Sequence, residues 1–97
     1  MLAFPCNQFG AQEPGTDAEI LEFATSKYGA TFPMFSKIEV NGEGACELYQ
    51  WLREQTDGAD VAWNFEKFII DREGNVSERC NPMVTPEDIA PKLAGLL

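Results

Sequence analysis

The succession of patterns along this chain predicts an α/β domain, a mixed sheet with flanking helices. Short apolar runs rich in β-branched and aromatic residues alternate with stretches at helical spacing, in the order strand, helix, strand, helix, hairpin, helix. The 97 residues suffice for a single domain over 1–97 and leave no room for a second. Hydrophobic residues at 44% and charged residues at 24% are globular proportions, which sets disorder and coiled coils aside.

Each element has its own local reason. The opening run Met1–Pro5 reads as a buried strand that begins without the usual polar lead-in, so a segment upstream of it is expected. Thr16 and Glu19 form a Thr-x-x-Glu capping box after the Glu13-Pro14-Gly15 turn, which predicts a helix over about 17–28. Ile20, Leu21, Ala24 and Tyr28 form its apolar face, and Gly29 supplies a left-handed stop. Met34–Val40 alternates apolar and polar residues like a half-buried strand, closed by Asn41-Gly42. Ala45, Leu48, Trp51, Leu52 and Gln55 then repeat at helical spacing, and 56–60 is a loop. Phe65–Ile70 reads as a strand turned by Asp71–Asn75 into a hairpin with Asn75–Cys80. Thr85, Pro86 and Asp88 open the last helix, with Ile89, Ala90, Leu93 and Leu97 as its buried face.

Charge and composition exclude several functions. Seven basic and sixteen acidic residues give 7 − 16 = −9, a field that repels phosphate backbones and anionic lipid surfaces, so nucleic acid is not an expected partner. No stretch approaches the ~18 consecutive apolar residues of a membrane helix, and Met1–Pro5 is too short and has no basic flank for a signal peptide. Three cysteines, Cys6, Cys46 and Cys80, are sparse and odd in number, which suits a reducing compartment. With no histidine and no Cys-x-x-Cys pair, neither a structural zinc site nor histidine-assisted nucleophilic catalysis is expected.

Two segments carry candidate chemistry. The first, from Phe4 to Gly15, follows the opening run and gathers Cys6, Asn7, Gln8 and Gln12 among turn residues. Amides there can stabilise an anion without titrating, or can merely satisfy loop backbone groups, which is the reading that composition alone favours. The second is Trp63-Asn64-Phe65, where an indole and an amide present N–H donors at a strand entrance. Taken alone, a tryptophan at that position reads as a core anchor. Cys6 has no basic neighbour to lower its pKa and reads as structural, whereas Cys46 and Cys80 stay open. Asn75-Val76-Ser77 matches a glycosylation acceptor, against which the cysteine usage argues.

Phe4-Pro5-Cys6-Asn7-Gln8-Phe9-Gly10 with Gln12-Glu13-Pro14-Gly15, and Trp63-Asn64-Phe65 with Lys67-Phe68, resemble the two signature blocks of the glutathione peroxidases, members of the thioredoxin-like superfold. The resemblance runs end to end, through Phe35-Ser36-Lys37, Val40-Asn41-Gly42, the hairpin and the last helix. It implies thiol-dependent reduction of hydrogen peroxide and organic or lipid hydroperoxides by a peroxidatic cysteine or selenocysteine. It also implies that Gln12, Trp63 and Asn64 are the helpers whose N–H groups stabilise the thiolate or selenolate and the developing hydroxide. Both bland readings are thereby reversed for these three residues.

The same resemblance puts the peroxidatic residue upstream of the Phe4–Gly10 block, so the chain is expected to be an incomplete domain, a fragment without the nucleophile and inactive by itself. Cys6 is part of the signature but not that residue. The position at which thioredoxin-dependent members carry a resolving cysteine falls on Thr25, which points to glutathione or another small thiol, with a thioredoxin-type reductant still open. No cofactor or metal beyond the reducing thiol is implied. The short 56–62 loop resembles the monomeric, phospholipid-hydroperoxide or plant-like branch. A cytoplasmic location is expected, or an organellar one if a leader lies upstream. The rival reading is a non-catalytic thioredoxin-like interaction module.

Overall fold

In the computed structural model, which describes residues 1–96, the opening run meets the segment at 33–38 in parallel through one isolated bridge, Ala3 with Met34. The Ala3 N–H donates to the Pro33 carbonyl at 3.0 Å, and the Phe35 N–H to the Ala3 carbonyl at 2.9 Å. A parallel ladder would continue through the N–H of residue 5 at one end and of residue 33 at the other. Both are prolines and have none. Neither Met1–Pro5 nor Met34–Val40 is therefore a strand, contrary to the expectation. Past Pro5 the register slips by one: Ile38 donates to the Pro5 carbonyl at 2.9 Å, while the Lys37 N–H goes to Asp17 Oδ1 at 2.9 Å.

The chain forms two compact units, Met1–Cys46 and Glu47–Leu97. The first holds helix α1, Asp17–Tyr28, with the bounds the sequence predicts. The Thr16 hydroxyl accepts the Glu19 N–H at 3.2 Å, and the Glu19 carboxylate accepts the Thr16 N–H at 3.2 Å. These bonds to Thr16 hold the Glu19 carboxyl below its ordinary range. At the other end Gly29, at φ 64°, donates to the Ala24 and Thr25 carbonyls. The apolar face is narrower than expected. Ile20 is buried and Ala24 half-buried, but Leu21 is 51% and Tyr28 71% exposed. Tyr28 instead meets Phe23 edge-on at 5.6 Å, with the Lys27 ammonium over both rings. Elsewhere in this unit Cys6, Phe9, Val40 and Ala45 are buried, and Phe4 stacks on Phe35 at 4.8 Å.

The second unit holds α2 (Glu47–Glu54), β1 (Lys67–Ile70), β2 (Val76–Cys80) and α3 (Pro86–Leu96). β1 and β2 pair antiparallel, Phe68 opposite Arg79 and Ile69 opposite Glu78, with a bulge between Ile69 and Ile70. Asp71 builds the turn. Its N–H donates to the Asn75 carbonyl at 2.9 Å, and its Oδ1 accepts the Glu73 and Asn75 N–H groups at 3.0 and 2.9 Å. Gly74, at φ 85°, takes the left-handed position that a side chain would resist. β1 starts two residues later than expected because Phe65 is in a turn at φ 66° and cannot join an extended ladder.

Pro86 opens α3 where its missing donor costs nothing. Thr85 and Asp88 exchange side chain-to-backbone bonds at 3.2 and 3.0 Å, which hold the Asp88 carboxyl below its ordinary range. Pro91 lies inside the helix and removes the bond a donor there would make to Glu87. Ile69, Cys80 and Ile89 form the core of this unit, with Val84 and Leu96 packed on it. Of the face expected for α3, Ile89 is buried, Ala90 and Leu93 are exposed, and Leu97 lies outside the described residues. Helices with a small sheet agree with the predicted α/β class. No helix among the described residues is long and apolar enough to cross a membrane.

Candidate active site

Of the three amides singled out in the Phe4–Gly15 segment, two fasten the loop. Asn7 Oδ1 accepts the Glu13 N–H at 2.9 Å. Gln8 bridges to the chain around residue 40: its Oε1 accepts the Val40 and Asn41 N–H groups at 2.7 and 3.1 Å, and its Nε2 donates to the Asn41 carbonyl at 3.0 Å. Backbone satisfaction, the bland reading, describes both. Lys37 adds a third tie, its Nζ donating to the Glu13 and Gly15 carbonyls at 3.0 and 2.7 Å. Gln12 lies between these ties on an exposed stretch, directly after Ala11 at φ 50°. Cys6 is buried, its sulfur accepting the Gln8 N–H at 3.5 Å.

Trp63 and Asn64 are consecutive in a turn of the second unit, whereas Gln12 belongs to the first. Trp63 is 47% exposed, which sets aside its reading as a core anchor, and Asn64 is half-buried. Phe65 completes the turn in the left-handed region and is 81% exposed, with the Lys67 ammonium on its carbonyl at 2.6 Å. Ala11 and Phe65 are the two non-glycine residues with positive φ among those described, and each adjoins a candidate helper, Gln12 or Asn64. Such conformations persist only where surrounding contacts hold them, and they concentrate at functional sites.

Those contacts come, for the second segment, from a residue to which sequence reasoning gave no role. Glu66 Oε2 accepts the Ala62 N–H at 2.7 Å, and Glu66 Oε1 takes Arg79 Nε at 2.5 Å. The same guanidinium donates to Thr56 Oγ1 at 3.3 Å and, at 2.9 Å each, to Asp57 Oδ1 and the Ala59 and Asp60 carbonyls. Its Cζ lies 5.2 Å from the centre of the Phe68 ring. One side chain on β2 thus binds the loop that leads to Trp63. The available signal was the period of two along a strand, which puts Glu66 and Phe68 on one face, facing Arg79 once the register is known.

The remaining cysteines differ in fitness for thiol chemistry. Cys80 is buried in the core of the second unit. Burial pushes its thiol up, and the Glu78 carboxylate, 3.3 Å from the sulfur, pushes it further. Cys46 is half-buried just before α2. Iodoacetamide at neutral pH is expected to modify Cys80 at least about tenfold more slowly than Cys46, as mass spectrometry of timed digests will measure.

Known proteins resemble this chain over its whole length. The sequence profile of the family "Glutathione peroxidase" matches residues 1–53. The chain is 49% identical to "Probable glutathione peroxidase 3, mitochondrial" of Arabidopsis thaliana over its whole length, covering 48% of that protein. It is 48% identical to "Probable phospholipid hydroperoxide glutathione peroxidase" of Citrus sinensis, again over its whole length, covering 60% of that protein. It therefore spans about half the length of these curated relatives. The crystal structure of T. cruzi GPX1 superposes with a TM-score of 0.71 at 39% identity, over 98% of this chain and 57% of that one. This likeness bears out a partial thioredoxin-like α/β fold. Since the profile covers more than half of the residues, and the relatives align from the first residue to the last, the chain belongs to the glutathione peroxidase family.

Proposed function

We propose that this chain carries the helper residues of a thiol-dependent hydroperoxide-reducing site. Gln12, Trp63 and Asn64 offer N–H donors to the peroxidatic sulfur or selenium anion and to the hydroxide or alkoxide that leaves it. The nucleophile attacks the nearer peroxide oxygen, the O–O bond breaks, and the departing oxygen takes a proton, which leaves a sulfenic or selenenic acid and water or an alcohol. Two thiols then return the nucleophile to its reduced form, leaving as a disulfide with loss of water. The peroxidatic group is assigned to none of Cys6, Cys46 and Cys80. The observation that carries this reading is the pairing of the two left-handed non-glycine residues with Gln12 and Asn64.

The Citrus relative, named as a probable phospholipid hydroperoxide glutathione peroxidase, supports lipid hydroperoxides among the substrates, and glutathione or a thioredoxin-type protein is the reductant. The protein acts as a monomer, in the cytoplasm or in an organelle, in keeping with the mitochondrial name of the Arabidopsis relative. The test is turnover of cumene hydroperoxide with glutathione or thioredoxin, by the 97-residue chain and by the chain extended at its amino end with the corresponding segment of the Arabidopsis relative. The extended chain is expected to turn over and the shorter one not. Gln12→Ala in the extended chain is expected to lower kcat/KM about a hundredfold. Unchanged turnover in that variant would remove Gln12 from the site, and no turnover in either chain would overturn the reading in favour of a non-catalytic module.

A further inference from the structure

We infer that Lys37 is a positioning residue for Gln12, an inference that rests on the helper role proposed for that glutamine. Gln12 belongs to no helix or strand, so no ladder sets the direction of its side chain. On its amino side stands Ala11, in the left-handed region at φ 50°. On its carboxyl side stands Glu13, whose two peptide groups are held from elsewhere in the unit. Asn7 Oδ1 takes its N–H at 2.9 Å, and Lys37 Nζ donates to its carbonyl at 3.0 Å.

Lys37 reaches this place across more than twenty residues and is itself anchored, its backbone N–H on Asp17 Oδ1 at 2.9 Å. Its ammonium also donates to the Gly15 carbonyl at 2.7 Å, so one cation serves two carbonyls. A point charge with three donors on a flexible stem suits that geometry. Without it those carbonyls lose their shared donor, and the backbone that follows Gln12 is held only through the Glu13 N–H on Asn7, which loosens the stretch that aims Gln12. A displacement of about 1 Å at a group that stabilises a reacting anion is sufficient to slow chemistry severely.

The competing role is purely structural, a fastening of the entry to α1 through Gly15 and Asp17. Nitrogen-15 NMR of the 97-residue chain separates the two. In Lys37→Met the side-chain amide signals of Gln12 are expected to shift and the Glu13 N–H to exchange about tenfold faster, while the Ile20 N–H inside α1 changes by less than about twofold. Lys37→Arg, which keeps charge and donors, is expected to restore both. Unmoved Gln12 signals, or Glu13 and Ile20 exchanging faster together, would overturn the inference. Lys37→Gln, with a neutral donor on a shorter stem, is read against the same criteria if the methionine variant does not fold. In the extended chain, Lys37→Met is expected to lower kcat about tenfold with the KM for the thiol unchanged. These readouts fail separately from the function. Absence of turnover in the extended chain overturns the peroxide-reducing reading whatever Lys37 does, unchanged turnover in Gln12→Ala removes Gln12 from the site, and unmoved Gln12 signals overturn the Lys37 role whatever the turnover.

Discussion

Arg79→Ala is expected to destabilise the fold by about 3 kcal/mol, the lower end for removing one partner of a buried ion pair. The pair is well shielded, with the Arg79 side chain 12% and the Glu66 side chain 5% exposed. Truncation leaves the Glu66 carboxylate with the Ala62 N–H but without its cation, and it also unties Thr56, Asp57, Ala59 and Asp60 from β2. Against a total stability of roughly 5–15 kcal/mol this is a large fraction, and thermal unfolding by circular dichroism should show a midpoint about 10–20 °C lower. Arg79→Lys should recover less than half of the loss, since an ammonium cannot span carboxylate, hydroxyl and carbonyls as a planar fork does. Lys92→Ala is the control. Its bond to Glu78 lies on the surface, both side chains being about half exposed, and its loss should leave the midpoint within error. An Arg79→Ala midpoint equal to that of Lys92→Ala would show that the network adds nothing.

Trp63→Phe and Asn64→Ala are expected to lower kcat/KM for hydroperoxide by about 10²–10³ in the extended chain, the usual effect of removing one donor from a developing anion. Trp63→Phe keeps an aromatic body and deletes the indole N–H, which separates donation from packing. Because Trp63 is 47% exposed, its unfolding midpoint should move little, so lost turnover can be read as lost chemistry. The KM for the reducing thiol is expected to stay where it is. Turnover within about twofold of the parent for both variants would remove these residues from the site.

The two predictions differ in how much of their basis the sequence contains. Gln12, Trp63 and Asn64 are visible as residue types in recognisable blocks, and only their local conformations come from the structure. Arg79 is the reverse case. Its neighbours on the chain, Glu78 and Cys80, give no hint of its role, because Thr56, Ala59 and Glu66 reach it only after β1 and β2 pair in one particular register. The left-handed Phe65 was equally hidden, since β-propensity favours an aromatic residue in the strand that the structure starts two residues later.

By itself the sequence determined what short-range bonding decides. The capping box and Gly29 set both ends of α1, Thr85 and Pro86 set the start of α3, and Asp71 with Gly74 made the hairpin turn, each within five residues of the chain. The tertiary structure decided whatever needs two distant segments in register. It left Met1–Pro5 and Met34–Val40 with a single bridge, because prolines at 5 and 33 both fall on ladder-donor positions once Ala3 faces Met34. It also turned Lys37 and Arg79 into the ties of the two candidate segments. Local hydrogen bonds are set by neighbouring residues, whereas long-range ones depend on a register that neither segment encodes alone.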